Sequence, residues 1–389
     1  ISLEPEPTEN NKFAAQRRAD PPKAAFLGKM KVVICGGGIM GVATAYYLSL
    51  KGVAATIIDR YGIACGASGM AGALLPRDLW DSKTDPLGTL AEKGFDMHAE
   101  LSKQFSDCGY RRISYMQTKV QKGSAPVKRA DKFDWIDGPV TDISLRRSTD
   151  VTLQVLPKKL TQALFSAAEK RGASFVSGNI EQINLNRDKS KVTGVTVDGQ
   201  KIKADVVVIA LGPWSKRVAP WLDIPLIETT RAHSVIFRPI GLTDTPYTFR
   251  LDVPVNLPDV EDRPLEIQLR CDGTLFVWGP MTKETLPDDP EDVSLNEPVL
   301  KRLEEIAQNL SSKLAAAEEQ SYEAGALSYT PDNLPCIGQV PGKEGCYIIT
   351  GHNAAGILTA PSSCAALAEL IVTGHSTLLD LTPFDPSRF

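Results

Sequence analysis

The chain has 389 residues, 42% hydrophobic and 23% charged, with a net charge of −4, proportions that suit a globular protein of more than one domain. A mildly acidic balance without a long basic run argues against nucleic acid as a partner. Seven scattered cysteines with no CxxC pair outline neither a zinc site nor a disulfide framework, and no apolar stretch is expected to approach the roughly 18 to 20 residues that a membrane span needs.

Residues 1–29 are polar and Pro-rich with no apolar periodicity, so an extended or disordered arm is expected there. The start at Ile1 fits a processed chain, with an intracellular setting, a mitochondrion or plastid after transit-peptide removal included, as the expectation. Residues 31–35 read as a short strand, Gly36 to Gly41 as a tight turn, Val42 to Leu50 as a helix, and "VAATIID" as a buried strand ending at Asp59. Such a β–α–β unit requires a parallel sheet with a right-handed crossover. An amphipathic helix follows over Leu87 to Phe105, then strands and loops over 111–149, and a helix running into a strand within "LPKKLTQALFSAAEKRGASFV". A hairpin-like pair is expected in 180–203, a buried strand in "ADVVVIALGPWS", a mostly β region over 223–290, and a surface helix in "EPVLKRLEEIAQNLSSKLA". The tail returns to strand "CYIIT", turn "GHNAAG" and helix "APSSCAALAELIVTG".

The expected fold is therefore α/β. A discontinuous Rossmann-like parallel-sheet domain (30–110, 150–222 and 330–389) carries a second, mostly antiparallel β-sheet domain (111–149 and 223–329).

Gly36-x-Gly38-x-x-Gly41, after a strand and opening a helix, fits the dinucleotide fingerprint. The first glycine permits the turn, the second lets a pyrophosphate approach the backbone, and the third lets helix and sheet pack closely. The helix N-terminus adds unpaired N–H groups and a favourable dipole. Asp59 is placed to accept from a ribose 2′-OH and disfavours a 2′-phosphate. These features select an ADP-containing dinucleotide without separating NAD from FAD.

"GIACGASGMAGALL" (62–75) is dense in small residues, which lets a backbone run along an extended cofactor. Together with "ADVVVIALGPWS" and "TPDNLPCIGQVPGKEGCYIITGHNAAGILTAP", it resembles the D-amino-acid-oxidase-like superfamily of FAD oxidoreductases, from about Lys31 to the C-terminus. That resemblance implies FAD. It places Gly36, Gly38 and Gly41 along the pyrophosphate, Asp59 on the ribose, Ser68 and Gly69 along the diphosphate and flavin, Ile180 at adenine, and Gly212 near the FAD. Gly351, His352 and Gly356 would face the flavin pyrimidine edge. Ile39, Met40, Arg60, Ala71, Trp214, Ile357 and Leu358 complete the implied cofactor contacts.

The departures from that family are informative. Where relatives place an arginine on the substrate carboxylate, this chain has Ala326 and Leu327, and a second such position is Ala354. Gly325 stands where monomeric sarcosine oxidase has its flavin-linked cysteine, so non-covalent FAD is expected. No lysine falls in "LFVWGPM" (275–281), where sarcosine oxidases place one for reaction with oxygen, and Lys283 is displaced.

The resemblance implies hydride transfer from the carbon beside an amine to flavin N5, followed by imine hydrolysis. His352, Asn353, His233 and Arg250 are the candidate catalytic residues, with Arg231 a further cation on the same wall. His98 and His375 are expected on helices, facing solvent, and no metal site is expected. Three readings follow: oxidation of a secondary amine or unusual amino acid, an FAD dehydrogenase with oxygen replaced by another electron acceptor, and a weakly active flavoprotein serving in assembly of a larger complex.

Overall fold

The computed structural model describes residues 30–72, 74–121, 133–224, 227–239, 241–242, 246–261, 263–317 and 319–389; the arm expected over 1–29 lies outside them. A six-stranded sheet runs in the order Cys336–Gln339, Cys346–Thr350, Val206–Ile209, Val32–Cys35, Ala55–Asp59, Ser174–Ser177. Its neighbours are parallel except at the Cys336–Gln339 edge. Val32–Cys35 and Val206–Ile209 are buried at every position, as strands covered on both faces must be.

The period-2 alternation of a strand decides what covers each face. Val32 and Ile34 pack against helices Ile39–Leu50, Pro86–Gln104, Pro157–Glu169 and Gly356–Thr373. Val33 and Cys35 pack against Ile183 and Val195 of a small antiparallel sheet, Ile180–Leu185, Val192–Val197 and Gln200–Lys203.

The larger second sheet runs Glu319–Tyr329, Glu228–Arg238, Leu275–Thr282, Leu265–Leu269, Tyr247–Leu251, Ser114–Val120, Val140–Arg147, with Val260–Glu261 paired to Leu275–Thr282. It is antiparallel except between Tyr247–Leu251 and Ser114–Val120. Helix Glu297–Leu310 starts at an Asn296 cap that accepts from the Val299 N–H. It buries Val299, Leu300, Leu303, Ile306, Ala307 and Leu310 on the second sheet's core, the three-to-four-residue rhythm of one helix face. The opposite face of the sheet is left to look at the parallel-sheet domain.

Two expectations need correction. Residues Asn353–Thr373 are long and apolar enough to cross a bilayer by composition, but most of that segment is buried inside the fold; it is a core helix, which explains its unbroken hydrophobicity. His98 does not face solvent. Pro361 lies inside helix Gly356–Thr373 and has no N–H, so the Ile357 carbonyl one turn earlier loses its helical donor. His98 Nε2 approaches that carbonyl at 2.7 Å and its Nδ1 lies 2.6 Å from the Tyr110 hydroxyl. The assignment that satisfies both is Nε2–H donating to Ile357 and Nδ1 accepting from Tyr110. The ring is wholly buried, and burial pushes its pKa down to about 4, so it is neutral in this role. His375 lies beyond the end of the helix, exposed.

Candidate functional site

The turn after Val32–Cys35 is bare backbone for geometric reasons. Gly36 has φ +117°, and a Cβ there would sit 2.3 Å from the Ala210 carbonyl oxygen. A Cβ at Gly41 would sit 2.0 Å from the Gly36 carbonyl oxygen. Helix Ile39–Leu50 then begins at Gly38 without a capping side chain and without an acidic residue in its first turn, which leaves its positive end suited to an anion. Ser68 Oγ accepts from the Ile39 N–H at 2.9 Å, pinning the 62–75 loop to the turn. Asp59 is oriented by three backbone donors: Gly37 N–H at 2.8 Å, Tyr61 N–H at 2.9 Å and Gly62 N–H at 3.1 Å.

These residues line a first cavity of about 170 Å³. Gly36, Gly38, Ile39, Met40, Asp59 and Ser68 form its floor. Arg60, Ile180, Gly212 and Trp214 line it from neighbouring strand ends. A strap from the second domain closes over it. Arg60 bridges Asp289 Oδ2 and Asn179 Oδ1, both at 2.6 Å, and the Tyr61 hydroxyl bonds Asp289 as well. Trp214 Nε1 donates to the Pro287 carbonyl and Arg217 to the Asp288 carbonyl, both at 2.9 Å.

A second cavity of about 420 Å³ meets the first at Ala67, which lines both. Its near wall is Ala67, Met70, Ala71 and Gly72 with Asn353–Ala355, Ile357 and Leu358. Its far wall is the second sheet. A register shift between Ala232 and Ser234 breaks the strand's alternation, and Ala232, His233 and Ser234 all line the cavity. Burial pushes the His233 imidazole below its ordinary pKa; Glu284 opposes that shift and Arg231 adds to it. Its Nε2 pairs with Thr282 Oγ1 at 3.1 Å.

The candidate residues divide between the cavities. His233, Arg250, Asn353, Ala71, Ile357 and Leu358 line the second. Gly41, Gly69, Gly351 and Gly356 line neither among the described residues; they set the backbone, Gly351 at φ +79° donating its N–H to Ser328 Oγ. The structure places the His352 side chain away from both cavities. Its ring is buried, lines neither cavity, and pairs through Nε2 with Ser363 Oγ at 3.2 Å, while burial lowers its pKa to about 3. Arg231 likewise lines neither cavity and is buried against Glu284 at 2.5 Å and the Thr285 carbonyl at 2.7 Å.

Sequence reasoning missed Tyr61, Asn179 and Asp289 at the first cavity, and Tyr115, Arg146, Arg147, Arg263, Glu266 and Gln268 at the second. They come from separate strands and turns, and no local motif marks them.

Two adjoining cavities, one floored by bare backbone at a helix N-terminus and the other walled by a separate β-sheet, suit an extended dinucleotide cofactor. A family model described as FAD dependent oxidoreductase matches residues 31–370, and the chain belongs to that family. It is 28% identical to the uncharacterized oxidoreductase YurR of Bacillus subtilis, over 91% of this chain and 98% of that protein. It is 23% identical to glycine oxidase of Pseudomonas aeruginosa, over 92% and 98%. Its fold matches the crystal structure of glycine oxidase from Geobacillus kaustophilus with a TM-score of 0.74 and 21% identity, over 92% of this chain and 99% of that one. The residues present fit FAD: the Gly36–Gly41 turn offers a side-chain-free, electropositive surface to the diphosphate, and a Cβ at Gly38 would meet only Ser68 Oγ, at 3.3 Å.

Proposed function

We propose that the protein oxidises a carbon–nitrogen bond of a small secondary amine or unusual amino acid, with FAD held non-covalently through the two cavities. The observation that carries this reading is their junction at Ala67: a cofactor with its diphosphate on the glycine turn reaches the wall that holds His233. When bound, FAD supplies a two-electron hydride acceptor, and the protein's task is to orient the donor and exclude water. His233 is neutral near pH 7. With its Nε2–H given to Thr282, Nδ1 has no partner among the described residues and can accept an amine N–H. Glycine oxidase is the activity named for similar proteins, but Leu327 and Ala354 line this cavity where the resemblance leads one to expect arginines. Plain glycine is therefore a poor donor. Gly325 lines the cavity, and no cysteine does so among its described lining residues; Cys336 and Cys346 are wholly buried in strands. That supports non-covalent FAD.

The electron acceptor is read the same way. No lysine lines the second cavity among the described residues, and Lys283 is exposed elsewhere, which favours an acceptor other than oxygen. Anaerobic mixing of the FAD-loaded protein with an amine panel tests the reading: a good donor bleaches the flavin absorbance, and glycine does so least. Failure of every amine to bleach it defeats the proposal. Admitting air to the bleached protein then separates the acceptors, with prompt peroxide marking an oxidase. Acid precipitation leaves the yellow colour in the supernatant if FAD is non-covalent.

A further inference from the structure

We infer that the second cavity takes a donor with two poles: its amine rests on acceptors beside the far wall, and an oxyanion group set away from the reacting carbon is held by arginines at the rim. The inference rests on the proposed amine oxidation and specifies the donor.

The inner pole is built from acceptors that lack a counter-charge. Glu266 Oε1 accepts from the Tyr115 hydroxyl at 2.6 Å, and Oε2 accepts from Gln268 Nε2 and Trp278 Nε1, both at 3.1 Å. All three donors are neutral, and no cation lies within ion-pair distance of Glu266 among the described residues. Gln268 spends its amide N–H on Glu266, and its Oε1, in a side chain 1% exposed, is left without a partner. His233 Nδ1, in a ring 0% exposed, is in the same position. Two strands of one sheet, Glu228–Arg238 and Leu265–Leu269, thus bring these acceptor-bearing residues to one cavity. A buried acceptor without a donor is costly, and an amine, with N–H groups and positive charge, answers all three.

The outer pole is cationic. Arg146, Arg147, Arg250 and Arg263 line the same cavity, against Glu266 as its one carboxylate among the described lining residues. Arg147 pairs with Asp78, Arg250 with Asp252 and Arg263 with Glu261. In each pair the carboxylate is the more exposed member: 56% against 15%, 60% against 27%, and 45% against 34%. Arg146 bonds the neutral Gln117 side chain at 3.2 Å. Exposed pairs of this kind contribute little, so a ligand oxyanion competes for these guanidinium forks at low cost, and the fork suits carboxylate and phosphate alike.

The separation of the poles is set by sheet register. Arg250 lies directly across from Glu266 on adjacent antiparallel strands, so the sign of charge reverses over one strand spacing, about 4.8 Å. With Leu327 and Ala354 on the wall, the anion is gripped at the rim rather than beside the reacting carbon.

The test is anaerobic titration calorimetry on FAD-loaded protein with three donors of matched length: glutamate, 2-amino-4-phosphonobutyrate and glutamine. Either oxyanion tail binds at least about 10-fold more tightly than the carboxamide, a difference of about 1.4 kcal/mol, and rising salt erodes that advantage. The better of the two tails identifies carboxylate or phosphate as the natural group. Arg250→Gln with Arg263→Gln brings all three within about 2-fold, whereas Glu266→Gln weakens all three alike and leaves the tail preference intact. Flavin absorbance and melting temperature confirm that the variants are folded. Equal binding of glutamine, absence of binding by all three, or a tail preference that survives the double substitution overturns the inference. Tail preference in a protein that oxidises no amine would instead defeat the proposed function and leave the two-pole site standing.

Discussion

The two cavities are built from different material. The floor of the first is made largely of backbone: a glycine turn, a helix N-terminus and an acidic strand end, all supplied by residues 36–68, with the remaining lining drawn from later strand ends. The second is made of side chains from the strands of a sheet whose order bears little relation to the order of the chain. A backbone site presents the same N–H groups whatever the sequence around it, so it suits an invariant ligand part such as a diphosphate. A side-chain site can be rewritten one residue at a time, so it is where donor choice resides.

The contrast can be broken most sharply at Gly41. Gly41→Val drives a side chain into the Gly36 carbonyl, a clash on the order of 3 kcal/mol or more, and the purified protein is expected to carry no yellow cofactor after gel filtration. A variant that keeps its FAD would refute the bare-backbone account.

Next in size is His98, which ties the first turn of the last helix to the Pro86–Gln104 helix. His98→Phe strands the Ile357 carbonyl and costs about 1–3 kcal/mol in denaturant unfolding. The pH dependence has a definite sign. The folded pKa of about 4 lies below the ordinary value near 6.5, so the unfolded chain binds the proton first. The stability conferred by the neutral ring is complete above pH 6.5 and declines toward pH 4, by about 3 kcal/mol. The variant should show a flatter acid limb; an unchanged one would mean that the ring is charged in the fold.

On the second-cavity side, Glu284→Gln removes the charge facing buried Arg231, next to His233. A loss of about 1–3 kcal/mol in stability is expected, together with a further fall in the His233 pKa, readable from its NMR titration. Asp289→Asn loosens the strap across the first cavity and should weaken FAD binding about 10-fold, or about 1.4 kcal/mol, with little change in melting of the apoprotein. An unaltered FAD affinity would show that the strap is a surface contact only. The smallest effect is expected at Glu100, whose partner Lys103 is as exposed as itself. Glu100→Ala should leave thermal stability within about 0.5 kcal/mol, and a larger change would question the weighting of every surface pair above.

What the sequence determined by itself was local: the β–α–β unit, the glycine turn, Asp59 at its strand end, the small-residue run after it, and hence the cofactor class. Each is encoded in consecutive residues, because turn conformation, helix start and strand period are properties of neighbours along the chain. Strand composition also announced a second, mostly β region. Only the tertiary structure decided that Arg231 is a buried ion-pair partner while Arg250, nineteen positions on by the same numbering, lines a cavity. It also decided that His98 serves Ile357 across 259 positions, and that Glu266, Gln268 and His233 share a wall. Those outcomes depend on strand order, register and a bulge, which arise from pairing between distant segments and leave no periodic trace in any one of them.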